Sequence, residues 1–295
     1  MASRSCALNC TGKYSLEADI NISLSWSGYH NREARPKDDK TKSTIRLNNK
    51  KTLNMNKLDF INTSSNEDLR TLCDIITLDR NGSPRLTEEL TGTAGYRMNY
   101  PGNMRALAPV MVDEFRKFGG NTFANIVRGE GPEYSEILRD VAKRQKVKIK
   151  SGDSDEVIER HLLEKMFDNI SKTMTDEQLK EMMDQMDIHL KYYSREAAVA
   201  ALQLAIREGG FACYKWLVVV ANALAKFLTG RGLTIAANAA LTKWLSVFAG
   251  PIGWAVTALW TVIDIAGPAY RVTIPAVIQI AYMRQKPRYA GLLTA

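Results

Sequence analysis

A chain of 295 residues that is 45% hydrophobic and 24% charged has ample material for a core, and room for one large domain or two ordinary ones. Its net charge of +8 is uneven: residues 1–52 hold ten Lys/Arg and five Asp/Glu, which leaves +3 for the rest and speaks against nucleic acid as a partner. The N-terminus lacks a charged-then-apolar signal pattern, so secretion is not expected, and Cys6, Cys10, Cys73 and Cys213 form no zinc or disulfide pattern but read as free thiols in a reducing compartment.

Residues 1–54 read as a disordered basic extension rich in Asn, Ser, Lys and Arg, in which only Ile20–Trp26 alternates as a strand would. A start of translation at Met55 would leave this stretch outside the native protein. From residue 56 the pattern is helical. Ser65 with Asp68 forms an acidic variant of the capping box, and Leu69, Leu72, Ile75 and Ile76 form one apolar face. Asn81–Pro84 is a turn. A helix over 104–118 ends at Gly119-Gly120, Asn121 can cap the next, and Gly129, Gly131 and Pro132 stop that one. Tyr134, Ile137, Leu138 and Val141 make the face of the following helix, which runs into the basic cluster Lys143, Arg144, Lys146, Lys148 and Lys150. Asp153 or Ser154 caps a helix to about 170, and Thr175 with Gln178 starts another, so that residues 155–192 read as an antiparallel helical pair.

The character then changes. Residues 209–283 carry only six charged side chains, Lys215, Lys226, Arg231, Lys243, Asp264 and Arg271. Helices are expected over 196–208, 211–228, 233–249 and 252–266, separated by glycine and Gly-Pro breaks, with a last one capped by Thr273 and carrying Pro275 in its first turn. The fold class is therefore all-α: a platform of amphipathic helices over 55–192, followed by an apolar helical array over 193–295.

Trp244–Ile263 is free of charge for twenty residues, the length of a bilayer crossing, but Gly250-Pro251 interrupts it. The uninterrupted piece 252–266 spans about 22 Å against a hydrocarbon core of about 30 Å. Two short helices dipping into the interface fit better than one straight crossing, with Trp244, Phe248, Ile252, Trp254 and Trp260 as the membrane contacts. The competing reading is the buried core of a soluble bundle.

Two stretches carry a family resemblance. Phe118-Gly-Gly-Asn-Thr-Phe-Ala-Asn-Ile-Val-Arg-Gly-Glu-Gly-Pro-Glu-Tyr-Ser-Glu-Ile-Leu-Arg-Asp-Val141 and Ala269-Tyr-Arg-Val-Thr-Ile-Pro-Ala-Val-Ile-Gln-Ile280 resemble the bacterial YaaW family, an uncharacterised group, and the likeness extends over about residues 56 to 287. The segment from Leu58 to Ile61 onward is similar to that family's short N-terminal helical module. The family is distantly similar to ubiquinol–cytochrome c chaperones, helical assembly factors that act at an energy-transducing membrane. The resemblance implies partner binding rather than catalysis.

The residues themselves carry no nucleophilic or metal pattern. His161 and Glu164 share a helix face, but no second pair accompanies them, so neither a catalytic residue, a metal nor a cofactor is assigned. Backbone N–H groups around Gly120, Asn121, Gly129 and Gly131, with Arg128, could hold a phosphate or lipid head group, although helix punctuation explains the glycines as well. Lys143, Arg144 and Lys146 could meet anionic lipid or be a solvated helix end. Met182, Met183 and Met186 could line a partner groove or be ordinary core.

The first reading is thus a non-enzymatic, membrane-associating helical scaffold or membrane-perturbing effector. It would be cytoplasmic, or peripheral or integral at the inner membrane. The second is a soluble chaperone-like factor that shields a hydrophobic protein client. Lipid or a hydrophobic protein is the expected partner, and a homo-oligomer is compatible with both.

Overall fold

The computed structural model describes residues 60–79, 81–86, 88–119, 131–230 and 269–289, with 233, 263 and 292 as single positions. The expected extension over 1–54, the helix after Asn121 and, but for Leu233 and Ile263, the helices over 233–249 and 252–266 lie outside the described residues. All described residues belong to one unit of the chain, residues 49–295.

Ten α-helices are described: α1 (Phe60–Thr63), α2 (Asn66–Thr77), α3 (Ala94–Asn99), α4 (Met104–Gly119), α5 (Tyr134–Arg144), α6 (Asp155–Ser171), α7 (Asp176–Gln185), α8 (Arg195–Glu208), α9 (Gly210–Thr229) and α10 (Tyr270–Tyr289). No strand occurs among the described residues, and the all-α class holds.

The helix starts follow local side-chain chemistry. Hydroxyls of Ser65, Thr93, Ser154, Thr175 and Ser194 accept from backbone N–H groups in the first turns of α2, α3, α6, α7 and α8. At Thr175 the Gln178 side chain reaches back, completing the expected capping box. At Ser65 the expected acidic capping box is not completed: its hydroxyl donates to the Asp68 carboxylate at 2.8 Å, and the same carboxylate oxygen also takes a distant cation, Lys286. Lys146 adopts a left-handed φ of 56° and lets the Val147 N–H return to the Ala142 carbonyl, closing α5. Gly209, at φ 88°, breaks α8 from α9 where a side chain would be strained.

The centre of the bundle is α10. Every residue from Val272 to Met283 is buried, so this helix has no solvent face along its middle. It packs against α1, α2, α4, α5, α6 and α9. At about 1.5–3 kcal/mol per fully buried aliphatic side chain, Ile274, Val277, Ile278 and Ile280 make it a principal source of stability. Its start corrects the sequence reading: α10 begins at Tyr270, three residues before Thr273. The Thr273 hydroxyl donates to the Ala269 carbonyl as an interior residue rather than a cap. Pro275 falls in the second turn rather than the first, where its lack of an N–H removes one donor from the helix ladder.

The direction of α10 is fixed by contacts at both of its ends. Tyr289 stacks on Tyr214 at 4.9 Å and meets Phe211 at 6.0 Å, so its end lies at the start of α9 and the two run antiparallel. Arg284 reaches Tyr134 at the start of α5, while Arg144 at the end of α5 covers Tyr270. Lys286 reaches Asp68 at the start of α2.

Residues 155–192 do not form the simple antiparallel pair that their spacing suggests. Both α6 and α7 pack on α8, which lies between them in the contact pattern. Trp216 of α9 anchors this side, donating from its indole to the Leu163 carbonyl at 3.1 Å and meeting Phe167 edge-on at 5.6 Å. One described helix, α9, is long and apolar enough to cross a membrane, yet 61% of its most apolar window is buried inside the protein.

Candidate functional site

The chemistry of the described residues gathers at the two ends of α10. At its C-terminal end three cations from alternate positions meet acids near the starts of other helices. Lys286 Nζ lies 2.6 Å from Asp68 Oδ2, and the Gln279 amide donates to the Asp68 carbonyl at 3.2 Å. Arg284 lies 3.3 Å from Glu159 Oε1 and stands over the rings of Tyr134 and Phe60 at 5.2 and 5.5 Å. That approach is an ion pair without hydrogen-bond alignment. Arg288 pairs more loosely with Glu156 at 3.7 Å.

Glu159 is a buried carboxylate of this end. It is 1% exposed, accepts from the Tyr134 hydroxyl at 2.6 Å, and leaves its second oxygen without a hydrogen-bond partner. Burial pushes its carboxyl up to about 7, against the opposing pull of Arg284 and the Tyr134 hydroxyl. Such a site can hold or release a proton near neutrality.

The N-terminal end of α10 is different. Arg271 is exposed in its first turn. Arg144 lies over the Tyr270 ring at 5.7 Å. Arg85, on the turn after α2, donates to the Ile75 carbonyl at 3.4 Å. Its guanidinium is held below its ordinary range by partial burial and by the nearby Arg271, with Asp79 opposing. Leu86 beside it is wholly exposed. Lys143 and Lys146 are exposed at the end of α5, with Asp140 3.7 Å from Lys143. Because α9 and α10 are antiparallel, exposed Lys226 on the last turn of α9 belongs to this end too.

Of the residues proposed from sequence for an anion or lipid head group, Lys143, Arg144 and Lys146 therefore fall at this basic end. Gly131 lies elsewhere and has a packing role: a Cβ there would sit 2.5 Å from the Arg116 backbone carbonyl, and Arg116 donates to the Gly131 and Pro132 carbonyls at 2.8 and 3.1 Å. Gly120, Asn121, Arg128 and Gly129 lie outside the described residues, as do the proposed membrane contacts Trp244, Phe248, Ile252, Trp254 and Trp260. Met182, Met183 and Met186 are buried core. Glu164, the partner considered for His161, is instead taken by Arg207 Nε at 3.0 Å. The thiols of Cys73 and Cys213 are free but buried, and burial pushes each up to about 12, far from a reactive thiolate.

Sequence reasoning missed the paired end of α10 altogether. Its one local signal is the alternation of Arg284, Lys286 and Arg288 just past a long apolar run; the acids that match them lie more than a hundred residues away.

Comparison with known proteins places these elements. Residues 56–86, which hold α1, α2 and the turn bearing Arg85, match a family model described as a domain of unknown function (DUF3944). Residues 105–278 match the model for ubiquinol-cytochrome C chaperone. A UPF0174 protein of Helicobacter pylori strain J99 is 39% identical over 235 residues, covering 79% of this chain and 92% of the relative. A second UPF0174 protein from that strain is 32% identical over 206 residues, 68% of this chain and 98% of its own. The UPF0174 protein YaaW of Escherichia coli K12 is 32% identical over 235 residues, 79% of this chain and 95% of its own. No solved structure matches. With homology over most of both chains and a chaperone-type domain spanning α4 to the middle of α10, the protein belongs to the YaaW (UPF0174) family.

Proposed function

We propose that this protein is a chaperone-like, non-catalytic helical factor that binds a hydrophobic protein client at a membrane. The observation that carries the reading is the span of the ubiquinol-cytochrome C chaperone match. It covers α4 to α9, the middle of α10 and the charge-poor stretch 231–268 between the last two helices. The described helices bury their own apolar faces, including most of α9, so they act as a rigid frame. The client contact falls to the apolar residues Trp244, Phe248, Ile252, Trp254 and Trp260, which have the size and character of binding hot spots.

The chemistry-bearing groups support a binding role. Cys73 and Cys213 are inert by burial, Glu159 is committed to Tyr134 and Arg284, and Glu164 to Arg207. The test is suppression of aggregation of a single-pass transmembrane peptide diluted from detergent. The full chain should keep the peptide in solution near one-to-one stoichiometry. A variant with Trp254→Ser and Trp260→Ser should lose that activity while its circular dichroism stays unchanged. Aggregation proceeding unaltered at tenfold excess of the full chain would overturn the reading.

A second reading, direct contact of the 209–283 region with lipid at the cytoplasmic face of the inner membrane, takes support from one observation. The charge-poor stretch leaves and rejoins the described bundle at the basic end of α10.

A further inference from the structure

We infer that the last turn of α10, from Arg284 to Tyr289, is a proton-controlled latch: it stays closed while Glu159 carries a proton and loosens once Glu159 is ionised. The latch is built from described residues and is independent of the client and lipid readings.

Three helices meet at this one carboxylate. Glu159 of α6 is 1% exposed. Its Oε1 accepts from the Tyr134 hydroxyl of α5 at 2.6 Å, and Arg284 of α10 stands 3.3 Å from the same oxygen. Its Oε2 has no hydrogen-bond partner, and neither do Nε and Nη2 of Arg284. An ionised Glu159 is therefore half-satisfied in a dry site, whereas a neutral carboxyl costs much less there. Burial accordingly raises the group to about 7.

The helices α5, α8, α9 and α10 pack on α6, and each brings its own groups. From α5 comes Tyr134, and from α10 Arg284. From α9 comes the Cys213 thiol, which burial pushes up to about 12 and so keeps neutral. From α8, Arg207 goes to Glu164 and Arg195 to the Ser171 carbonyl, both further along α6. On α6 itself Asp155 and Glu156 lie near, and their charge disfavours ionisation of Glu159, while Arg160 packs against Gly209. Asp155 accepts from Ser135 at 2.9 Å, and Glu156 faces Arg288 at 3.7 Å. Among the described residues, the cation that faces Glu159 is thus Arg284, which sits in the turn that must move.

That turn is weakly tied to its own helix. Pro287 lies within it and has no N–H, which removes one donor from the helix ladder. Side chains hold it instead: besides Arg284, Lys286 reaches Asp68 at 2.6 Å and Tyr289 stacks on Tyr214 at 4.9 Å. Pro287 and Arg288 are exposed, so water can enter here while the buried middle of α10 stays packed. Opening the turn uncovers Tyr214 and hydrates Glu159, which then ionises near its ordinary value of 4.5. The sign follows from linkage. Below 4.5 Glu159 is neutral in both forms, and the turn is closed. Between 4.5 and about 7 the open form has released a proton that the closed form keeps, so rising pH favours opening. Above that window both forms are ionised and the shift ends.

The experiment is backbone hydrogen exchange of the full chain, read by mass spectrometry in peptides covering residues 284–289, with Glu159→Gln measured beside it at each pH. The ratio of the two cancels the intrinsic pH dependence of exchange. The parent should gain on the variant about 10-fold per pH unit between pH 5 and 7, about 300-fold over the whole window, and then level off. Peptides from α7 and α8 should show no such gain. Tyr134→Phe removes the hydroxyl that favours the ionised carboxylate and keeps the ring beneath Arg284, so its plateau should move to higher pH. A parent-to-variant ratio that stays flat with pH would overturn the latch. So would an equal gain in α7 and α8, which would mark unfolding of the whole bundle. Should Glu159→Gln fail to fold, the comparison of the parent with Tyr134→Phe decides alone, and an unmoved plateau overturns the proposal.

Discussion

The two ends of α10 carry the same kind of residue and treat it in opposite ways. At the C-terminal end Arg284, Lys286 and Arg288 each meet an acid, and the first two of those acids, Glu159 and Asp68, are buried. At the N-terminal end Arg271, Arg144 and Lys226 stand exposed. The contrast teaches that charge count says little by itself. A buried ion pair locks a helix because breaking it strands a charge, whereas the contacts of an exposed cation contribute little to the fold.

The sharpest way to break this contrast is a matched pair of truncations. Arg284→Ala leaves Glu159 without its counter-ion and removes the cover from Tyr134 and Phe60, and should cost about 3–5 kcal/mol in urea unfolding. Arg271→Ala at the other end should stay within about 0.5 kcal/mol. Equal losses would mean that the ends are not distinct.

The next effect is a pH dependence confined to the paired end. The Glu159 carboxyl is raised from 4.5 to about 7 in the folded protein, so between those values the native state holds a proton that the unfolded chain has released. Stability therefore falls as pH rises through this window, by up to about 3 kcal/mol. In Glu159→Gln that slope should vanish between pH 5 and 7, while the parent loses stability over the same range. A parent whose unfolding midpoint rises with pH there would show the opposite sign and refute the assignment.

Smaller effects probe the frame that holds the ends apart. Gly131→Ala forces a Cβ against the Arg116 backbone and should destabilise by about 1–3 kcal/mol, read by thermal unfolding. Thr175→Ala removes half of a capping box and should cost about 1 kcal/mol on the same measure.

How much of this was legible in the sequence depends on the range of the interaction. Caps at Ser154 and Thr175 and the break at Gly209 are decided within four residues, and reading along the chain finds them. The four-residue α1 was expected only through the family resemblance of Leu58–Ile61 onward, and the six-residue α3, too short to establish a period, was not anticipated. Along its middle α10 is buried on every side, so it has no amphipathic stripe to mark its start, and Thr273 looked like a cap because its hydroxyl chemistry suits one. The ion pair between Asp68 and Lys286 joins residues 218 apart, a relation that no local pattern encodes. The basic cluster at Lys143–Lys146 was visible as composition, but its company with Arg271 and Arg85 required the antiparallel run of α5 and α10.

Because α10 fills the middle of the bundle, the six described helices that pack on it must be synthesised before their shared partner exists. Contacts of such long sequence separation make for slow closure. The greasy stretch 231–268 thus emerges ahead of the helix that seals the interior. Timing of synthesis, as much as finished shape, would then govern which surface this protein engages first.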